Sequence, residues 1–273
     1  MKYFEIGDIR ITSRTANGYL LTVAPDTASG DVEKNVINYA GCDGEEVRDV
    51  YFKSRDFMIE GFILSNSERG YSILRRKLIR SLVPKTSYPL VYYDGYNTYK
   101  AEAFIDGSIT FGRVINGRNS AFVINITIPS FYFKSFKEVT KDVYRRDDMV
   151  TGRFTLPMVF TKRETTADIV NKGDVSAFPI FNLHCDEERN DNIVIRNDTT
   201  NEKLQLNYKP VKGERIVIDA EQFKITSNLN GNIIKYLSAD STFFELGKGS
   251  VKLSCLTNGV AVSVNFYERY AGV

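Results

Sequence analysis

Residues 121–128 read Ala-Phe-Val-Ile-Asn-Ile-Thr-Ile, and residues 260–266 read Val-Ala-Val-Ser-Val-Asn-Phe. In the first, Phe122, Ile124, Ile126 and Ile128 recur at every second position. In the second, Val260, Val262, Val264 and Phe266 do so against Ala261, Ser263 and Asn265. A period of two marks a strand, because successive side chains leave opposite faces of the backbone and one face is buried. Both halves of the chain are therefore expected to be β structure.

Upstream of the first stretch, Tyr99–Ile105 (YKAEAFI) gives a second strand signal, and Asn116-Gly117 lies between Ile109–Ile115 and the strand after it. Both Asn and Gly tolerate positive φ, so the pair predicts a hairpin, wider than two residues if Arg118 and Asn119 join the turn. Tyr51–Leu64 (YFKSRDFMIEGFIL) reads as strand with an interruption near Gly61. One helix is predicted over about residues 67–83. Ser65 with Glu68 fits a capping box, Tyr71, Leu74, Leu78 and Leu82 form one apolar stripe, and Pro84 stops it. Its other face carries Arg69, Arg75, Arg76, Lys77 and Arg80. Such a face is ordinarily just solvated. The functional alternative is contact with an acidic partner or a phosphate backbone, the latter without sequence specificity.

Residues 136–148 are dense in charge and poor in apolar periodicity, which places a domain boundary there. The expected domains are residues 1–140 and 150–273. In the second, Ile193–Ile195, Leu204–Leu206, Ile216–Ile218, Phe243–Leu246, Val251–Leu253 and Val260–Phe266 read as short strands. Asn197-Asp198, Lys212-Gly213, Asn230-Gly231, Gly247-Lys248-Gly249 and Asn258-Gly259 mark turns between them. About six strands at roughly ten-residue spacing predict a β-sandwich.

Composition narrows the function. With 42% hydrophobic and 26% charged residues in 273, the chain is globular. Its 36 Lys+Arg against 34 Asp+Glu leave a net charge of only +2, without the basic excess of a nucleic-acid binder. No apolar run approaches the roughly 20 residues of a membrane span, and Glu5 and Asp8 break any signal-peptide core. Folding in the cytoplasm is expected. Cys42, Cys185 and Cys255 are widely spaced and suggest reduced thiols rather than a zinc site or disulfides. One histidine, His184, excludes any multi-histidine metal site from a single chain. The absence of Trp weakens a sugar-stacking reading.

Catalytic motifs are missing: the sequence contains no GxGxxG, GxxxxGK[ST], HExxH or GxSxG. Gly247-Lys248-Gly249-Ser250 lacks the earlier glycine of a phosphate loop and is read as a turn. The acidic groups Asp43/Glu45/Glu46, Asp147/Asp148 and Asp186/Glu187/Glu188 follow neither a calcium-loop pattern nor the spacing across a cleft that glycosidases need. His184 and Cys185 are strand neighbours and point to opposite faces, which defeats a nucleophile–base pairing. No catalytic, cofactor or metal residue is assigned, and the chain is expected not to be an enzyme.

An ordered series in the second half resembles the siphophage distal tail protein family. Asn171-Lys172-Gly173-Asp174 before Phe178-Pro179-Ile180 is similar to the family's opening strand. Ile193-Val194-Ile195-Arg196-Asn197 before Thr200-Asn201-Glu202 resembles its hairpin. Lys212-Gly213-Glu214 before Ile216-Val217-Ile218-Asp219, Ser241–Leu246 before Gly247 and Gly249, and the closing Val264–Val273 resemble further family motifs. Lys248-Gly249-Ser250 departs from the family's usual Pro-Gly-Asn. The first half resembles the family by layout: strands, one helix, a long hairpin, then the aromatic run from Pro129 to Phe133.

The resemblance implies an all-β chain with one helix. Its N-terminal domain would be β-sandwich-like and ring-forming, with the helix and the long hairpin; its C-terminal domain would be a galectin-like β-sandwich. It implies a homo-oligomeric ring, usually a hexamer, at the virion tail tip. That ring would join the tail tube protein to the tip or baseplate and mount receptor-binding and tail-associated lysin proteins, with DNA passing its channel unread and no membrane partner. The first domain alone is expected to hold the ring. A carbohydrate-binding accessory module stands as the alternative, with Tyr208 and Tyr236 the aromatics able to stack on a sugar, and a cell-wall hydrolase as a third reading.

Overall fold

The computed structural model describes residues 1–23, 25, 27, 30–41, 43–144, 166–185, 192–257 and 260–273. The chain divides into two compact units. The first comprises Met1–Phe136 with Tyr270–Val273, and the second Lys137–Arg269. Two features differ from the sequence expectation. The charge-dense stretch contributes a strand to the second unit, and the last four residues return to the first.

The first unit contains β1 (Tyr3–Ile6), β2 (Ile9–Thr12), β3 (Gly18–Val23), β4 (Val32–Ile37), β5 (Glu46–Phe52) and β6 (Arg55–Leu64). After α1 (Glu68–Ser81) come β7 (Ser87–Tyr93), β8 (Thr98–Ile105), β9 (Thr110–Phe111), β10 (Ser120–Ile128) and β11 (Phe133–Ser135). Strands run in the order β8-β7-β1-β2-β3-β6-β10. Ile126 and Thr127 of β10 then pair with Ile105 and Phe104 of β8, closing a seven-stranded barrel where a sandwich-like sheet pair was expected. Closure removes most free edges. β9 lies beyond β10, and β11 beyond β8.

The alternation read from sequence sets the barrel interior. Phe122, Ile124, Ile126 and Ile128 are buried with Phe4, Ile6, Ile9, Ile11, Ile59 and Ile63; burying each such side chain is worth roughly 1.5–3 kcal/mol. Gly61 does not interrupt its strand. It sits opposite Phe122 in the β6–β10 register, and a Cβ there would come within 2.3 Å of the Phe122 ring and 2.9 Å of the Leu20 carbonyl. The glycine makes room for the aromatic, and β6 runs unbroken through it.

α1 lays Tyr71, Leu78 and Leu82 into this core, with Leu74 packed at its edge. Its cap is Ser67 rather than Ser65: the Ser67 hydroxyl accepts from the Gly70 amide at 3.0 Å, while Ser65 Oγ braces the Ser67 backbone from two residues earlier. Tyr19 ties barrel to helix by donating its hydroxyl to the Leu74 carbonyl at 2.8 Å. Burial, with the Asp8 charge adding, pushes that hydroxyl up to about 12, so it stays protonated. The expected hairpin turn is present: Asn116 and Gly117 both have positive φ, 51° and 68°, and Ile115 bridges to Asn119, so Arg118 is included.

The second unit contains β12 (Val139–Tyr144), β13 (Thr166–Asn171), β14 (Ile180–Cys185), β15 (Ile193–Asn197) and β16 (Glu202–Leu206). β17 (Arg215–Asp219), β18 (Lys224–Ser227), β19 (Gly231–Asn232), β20 (Gly249–Cys255) and β21 (Val260–Phe266) complete it. They form a six-stranded sheet, β12-β21-β14-β17-β18-β19, and a four-stranded sheet, β13-β20-β15-β16. Val260, Val262, Val264 and Phe266 from one sheet meet Ile193, Ile195, Leu204, Leu206 and Leu253 from the other in one sandwich core. Phe243–Leu246 is not a strand. Phe244 and Leu246 are buried in alternation with Phe243 and Glu245, but the segment forms no ladder: Phe244 pairs with no strand, and Leu246 makes an isolated bridge to Ala177.

Candidate functional site

The residues that suggested chemistry are scattered. His184 is exposed on the outer face of the six-stranded sheet, beside Asn182, Arg215, Ala261 and Ser263, whereas its neighbour Cys185 is fully buried in the sandwich core. Opposite strand faces separate them, as their adjacency dictates. Cys255 is also buried and reduced, and burial raises its thiol above the ordinary value. Asp43, Glu45 and Glu46 stand exposed at the end of the β4–β5 hairpin. Cys42, Asp147/Asp148, Asp186/Glu187/Glu188 and the Asn258-Gly259 turn lie outside the described residues. Among the described residues no three of His, Cys, Asp and Glu are grouped to hold a metal, and no helix is long and apolar enough to cross a membrane.

Tyr208 is not a free sugar platform. Its hydroxyl donates to Glu214 Oε1 at 2.6 Å, and its ring leans on Tyr236 at 5.1 Å. Glu214 is itself buried, and it also accepts from the Ser227 hydroxyl and, at 3.0 Å, from the Val211 amide. Burial pushes its pKa up, but these donors together with Asn230 outweigh burial and hold it below the ordinary carboxylate value. The cluster braces the turn between β16 and β17.

The motifs of the second half are corners of the same kind. Asn171 is buried. It donates to the Val175 and Leu246 carbonyls at 2.9 and 3.1 Å and accepts from the Gly173 amide at 3.0 Å. A Cβ on Gly173 would meet the Arg269 backbone at 2.7 Å. Asn197 accepts from the Thr199 and Thr200 amides, and Asp219 from those of Glu221 and Gln222. Ser241 clips Gln205 through both its amide and its carbonyl. Gly249 opens β20 with φ +89°, so Gly247-Lys248-Gly249 is a turn into a strand and leads no helix.

What the chain offers for binding is surface, and the most prominent part was not legible in sequence. β4 and β5 pair only with each other, as an exposed two-stranded arm. At its root, Phe52 stacks on Phe131 and meets Tyr132 edge-on. Phe131 takes φ +62°, and a Cβ on Gly30 would come within 2.7 Å of its ring. The Arg55 guanidinium stands over Phe131 and Phe133 at 4.7 and 5.3 Å. It donates to the Thr27 carbonyl at 2.8 Å and to that of Ala271. Through Arg55 the arm's root is tied to residues 270–273, where Val273 donates to the Thr27 carbonyl at 3.0 Å and Tyr270 meets Tyr99 edge-on.

A second surface lies between α1 and the short edge strand β9. Its groove is lined by Tyr71, Ser72, Arg75, Ile79, Phe111 and Val114, with the Arg75 guanidinium 4.5 Å over the Phe111 ring. Arg76 lines it too, and Arg69, Lys77 and Arg80 are exposed elsewhere on the same helix.

Comparison with known proteins places this architecture. Residues 16–128 match the model of a phage tail protein RIFT-related domain, and residues 172–270 that of the siphovirus-type tail component, C-terminal domain. The fold is similar to the crystal structure of phage SPP1 Dit (gp 19.1), described as a paradigm of hub adsorption apparatus in phages infecting Gram-positive hosts. The TM-score is 0.75 at 13% identity, over 98% of this chain and 99% of that one. A chain of the phage P2 baseplate in its activated conformation with Ca matches with TM-score 0.52 at 10% identity over the full length of both. No curated protein matches in sequence. With both family domains in order and the SPP1 fold spanning nearly the whole chain, the chain belongs to the siphophage distal tail protein family, as a structural component of the tail's distal hub or baseplate.

Proposed function

We propose that the chain assembles into a closed homo-oligomeric ring, a hexamer, at the distal end of a long non-contractile tail. The ring joins the tail tube protein to the tip and mounts tail-associated lysin and receptor-binding proteins, while DNA crosses the central channel without sequence-specific contact. The observation that carries this reading is the pairing of the two family domains with a first unit that presents two unlike exposed surfaces, the arm and the cationic groove. Closed cyclic assembly needs one heterologous contact, in which one face of each subunit meets a different face of the next. Hydrolytic activity is no part of the proposal, since the acids, His184 and the cysteines do not form a constellation among the described residues.

Native mass spectrometry and negative-stain microscopy of the full-length protein, alone and with tail tube and tip proteins, test the ring. Discrete closed rings of one stoichiometry are expected. A chain that stays monomeric at high concentration and with both partners present contradicts the proposal. The carbohydrate-binding alternative has the open concavity around Asn182, His184 and Arg215 in its favour. A glycan-array screen that returns specific binding, abolished by His184→Ala with Asn182→Ala, would establish it beside the structural role.

A further inference from the structure

Two rows of side chains cross the outer face of the six-stranded sheet, because cross-strand partners share a face. In one row Asp142 of β12 pairs with Ser263 of β21, Ser263 with Asn182 of β14, and Asn182 with Val217 of β17. In the next, Ala261 pairs with His184 and His184 with Arg215. The short side chains of Ala261 and Ser263 stand between longer ones on both neighbouring strands, so the face sinks along β21. The result is an open concavity of about 400 Å³. Its floor is β21, and its walls carry Asp142 on one side and Asn182, His184 and Arg215 on the other. From β12 to β17 it spans three strand spacings, roughly 14 Å, which is room for a short sugar or polyol chain.

The polar groups along it are not used by the fold. The side chains of Asp142, Asn182, Arg215 and Ser263 make no hydrogen bond or ion pair with another described residue. One row further along β21 this changes, where Asn265 donates its amide to Glu138 at 3.2 Å. The set also differs from end to end. At one end the Arg215 guanidinium, which only donates, stands beside the His184 imidazole. Next come the Asn182 amide and the Ser263 hydroxyl, which both donate and accept, and last the Asp142 carboxylate, which accepts only. Hydroxyl groups suit the middle and the carboxylate end. A phosphate or carboxylate suits the guanidinium, whose planar fork matches either. Among the described residues no aromatic ring lines the concavity, so charge and hydrogen bonds supply the recognition that stacking would otherwise give.

We propose that the second unit binds an acidic saccharide, a sugar or polyol bearing a phosphate or carboxylate, along this trough. The anionic group lies against Arg215 and His184, and hydroxyls bridge Asn182, Ser263 and Asp142. This inference rests on the carbohydrate reading and narrows it to one ligand class; it does not depend on whether the ring closes.

Full-length protein is titrated with glucose 1-phosphate, glucuronate, glucose and inorganic phosphate, followed by calorimetry and by the imidazole signal of His184. The chain has one histidine, so that signal is unambiguous. Glucose 1-phosphate and glucuronate are expected to bind and to shift it, with glucose and inorganic phosphate each at least tenfold weaker. Arg215→Ala lowers the affinity for both acidic sugars at least tenfold, the scale of a lost charge-assisted bond, while Arg215→Lys retains more of it. Ser263→Leu fills the trough and removes binding together with the shift. These side chains point outward, and unchanged circular dichroism verifies that each variant is folded. Glucose binding as tightly as glucose 1-phosphate, or Arg215→Ala binding as wild type does, overturns the acidic ligand and leaves the carbohydrate reading standing. Inorganic phosphate binding as tightly as the sugar phosphate also overturns it, as a bare cationic patch. A His184 signal that moves with none of the four overturns the site, and a glycan array that is silent as well removes the carbohydrate reading with it.

Discussion

The ring of Phe131 lies against that of Phe52 with centroids 4.2 Å apart and planes 16° from parallel, which fastens the end of β10's exit loop to the root of the arm. Phe131 reaches that position only through a left-handed backbone, φ +62°, and only because Gly30 leaves room for its ring. The arm's own surface is exposed, so its direction is set at this root.

Phe131→Ala removes the stack on Phe52, the edge contact with Tyr132 and the seat of the Arg55 guanidinium, and it retains the backbone strain. The first unit is expected to lose about 3–4 kcal/mol, typical of a buried Phe truncation, and the arm to become the first site of proteolytic cleavage. Melts and timed proteolysis followed by mass spectrometry measure both. Unchanged arm cleavage would mean that the hairpin is held by something else.

Gly61→Ala places a methyl group where the Phe122 ring lies. Overpacking of this kind costs about 1–3 kcal/mol, and Phe122→Leu in the same chain is expected to recover part of it. Denaturant unfolding of the single and double variants forms the cycle. Strict additivity of the two changes would refute the pairing.

Glu214→Ala leaves the Tyr208 and Ser227 hydroxyls and the Val211 amide without their buried acceptor, with an expected loss of about 3 kcal/mol in the second unit. Because the carboxyl is held below its ordinary 4.5 in the folded chain, its contribution is fully present above that value. It is lost as pH falls through the lower folded value. Comparing wild type with Glu214→Gln in melts from pH 7 to pH 3 checks the sign: the difference between them is expected to shrink toward acid. A gap that widens on acidification would contradict the assignment.

A fragment of residues 1–140 lacks Tyr270–Val273, and with them the Ala271 acceptor of Arg55 and the ring packed on Tyr99. It is expected to be less stable by about 2–4 kcal/mol, given several buried contacts of ordinary strength. Deleting residues 137–269 and joining Phe136 to Tyr270 through a short Gly/Ser linker, with the strand holding Tyr270 already beside β11, is expected to restore it. Hydrogen exchange at the Val273 amide reports whether those residues have docked. Equal stability of the two fragments would show that the four residues contribute nothing.

The clean alternations at residues 121–128 and 260–266 announced core strands because each lies in a sheet with one buried face. The family motifs were legible for a related reason: Asn171, Gly173, Asn197, Gly213 and Asp219 solve local backbone problems that only those residue types solve. Barrel closure was not legible, since pairing of β10 with β8 depends on strand tilt and on nothing in either strand's own pattern. The arm escaped because its bulge breaks the period of two between Asp49 and Val47 and because it has no buried face to impose one. Ser65 was mistaken for the cap because it stands in the box spacing to Glu68, whereas the geometry uses Ser67.

Residues 137–269 are interposed within the first unit's sequence, so two covalent strands leave the barrel for the second unit, at 136/137 and at 269/270. A domain on a single linker passes all tension through one peptide path. Here a pull on the second unit divides between two paths, one anchored by β11 in the sheet and the other by Tyr270–Val273 through Arg55, Thr27 and Tyr99. Freeing the second unit from the first therefore requires both anchors to give way, where a single linker would need only one.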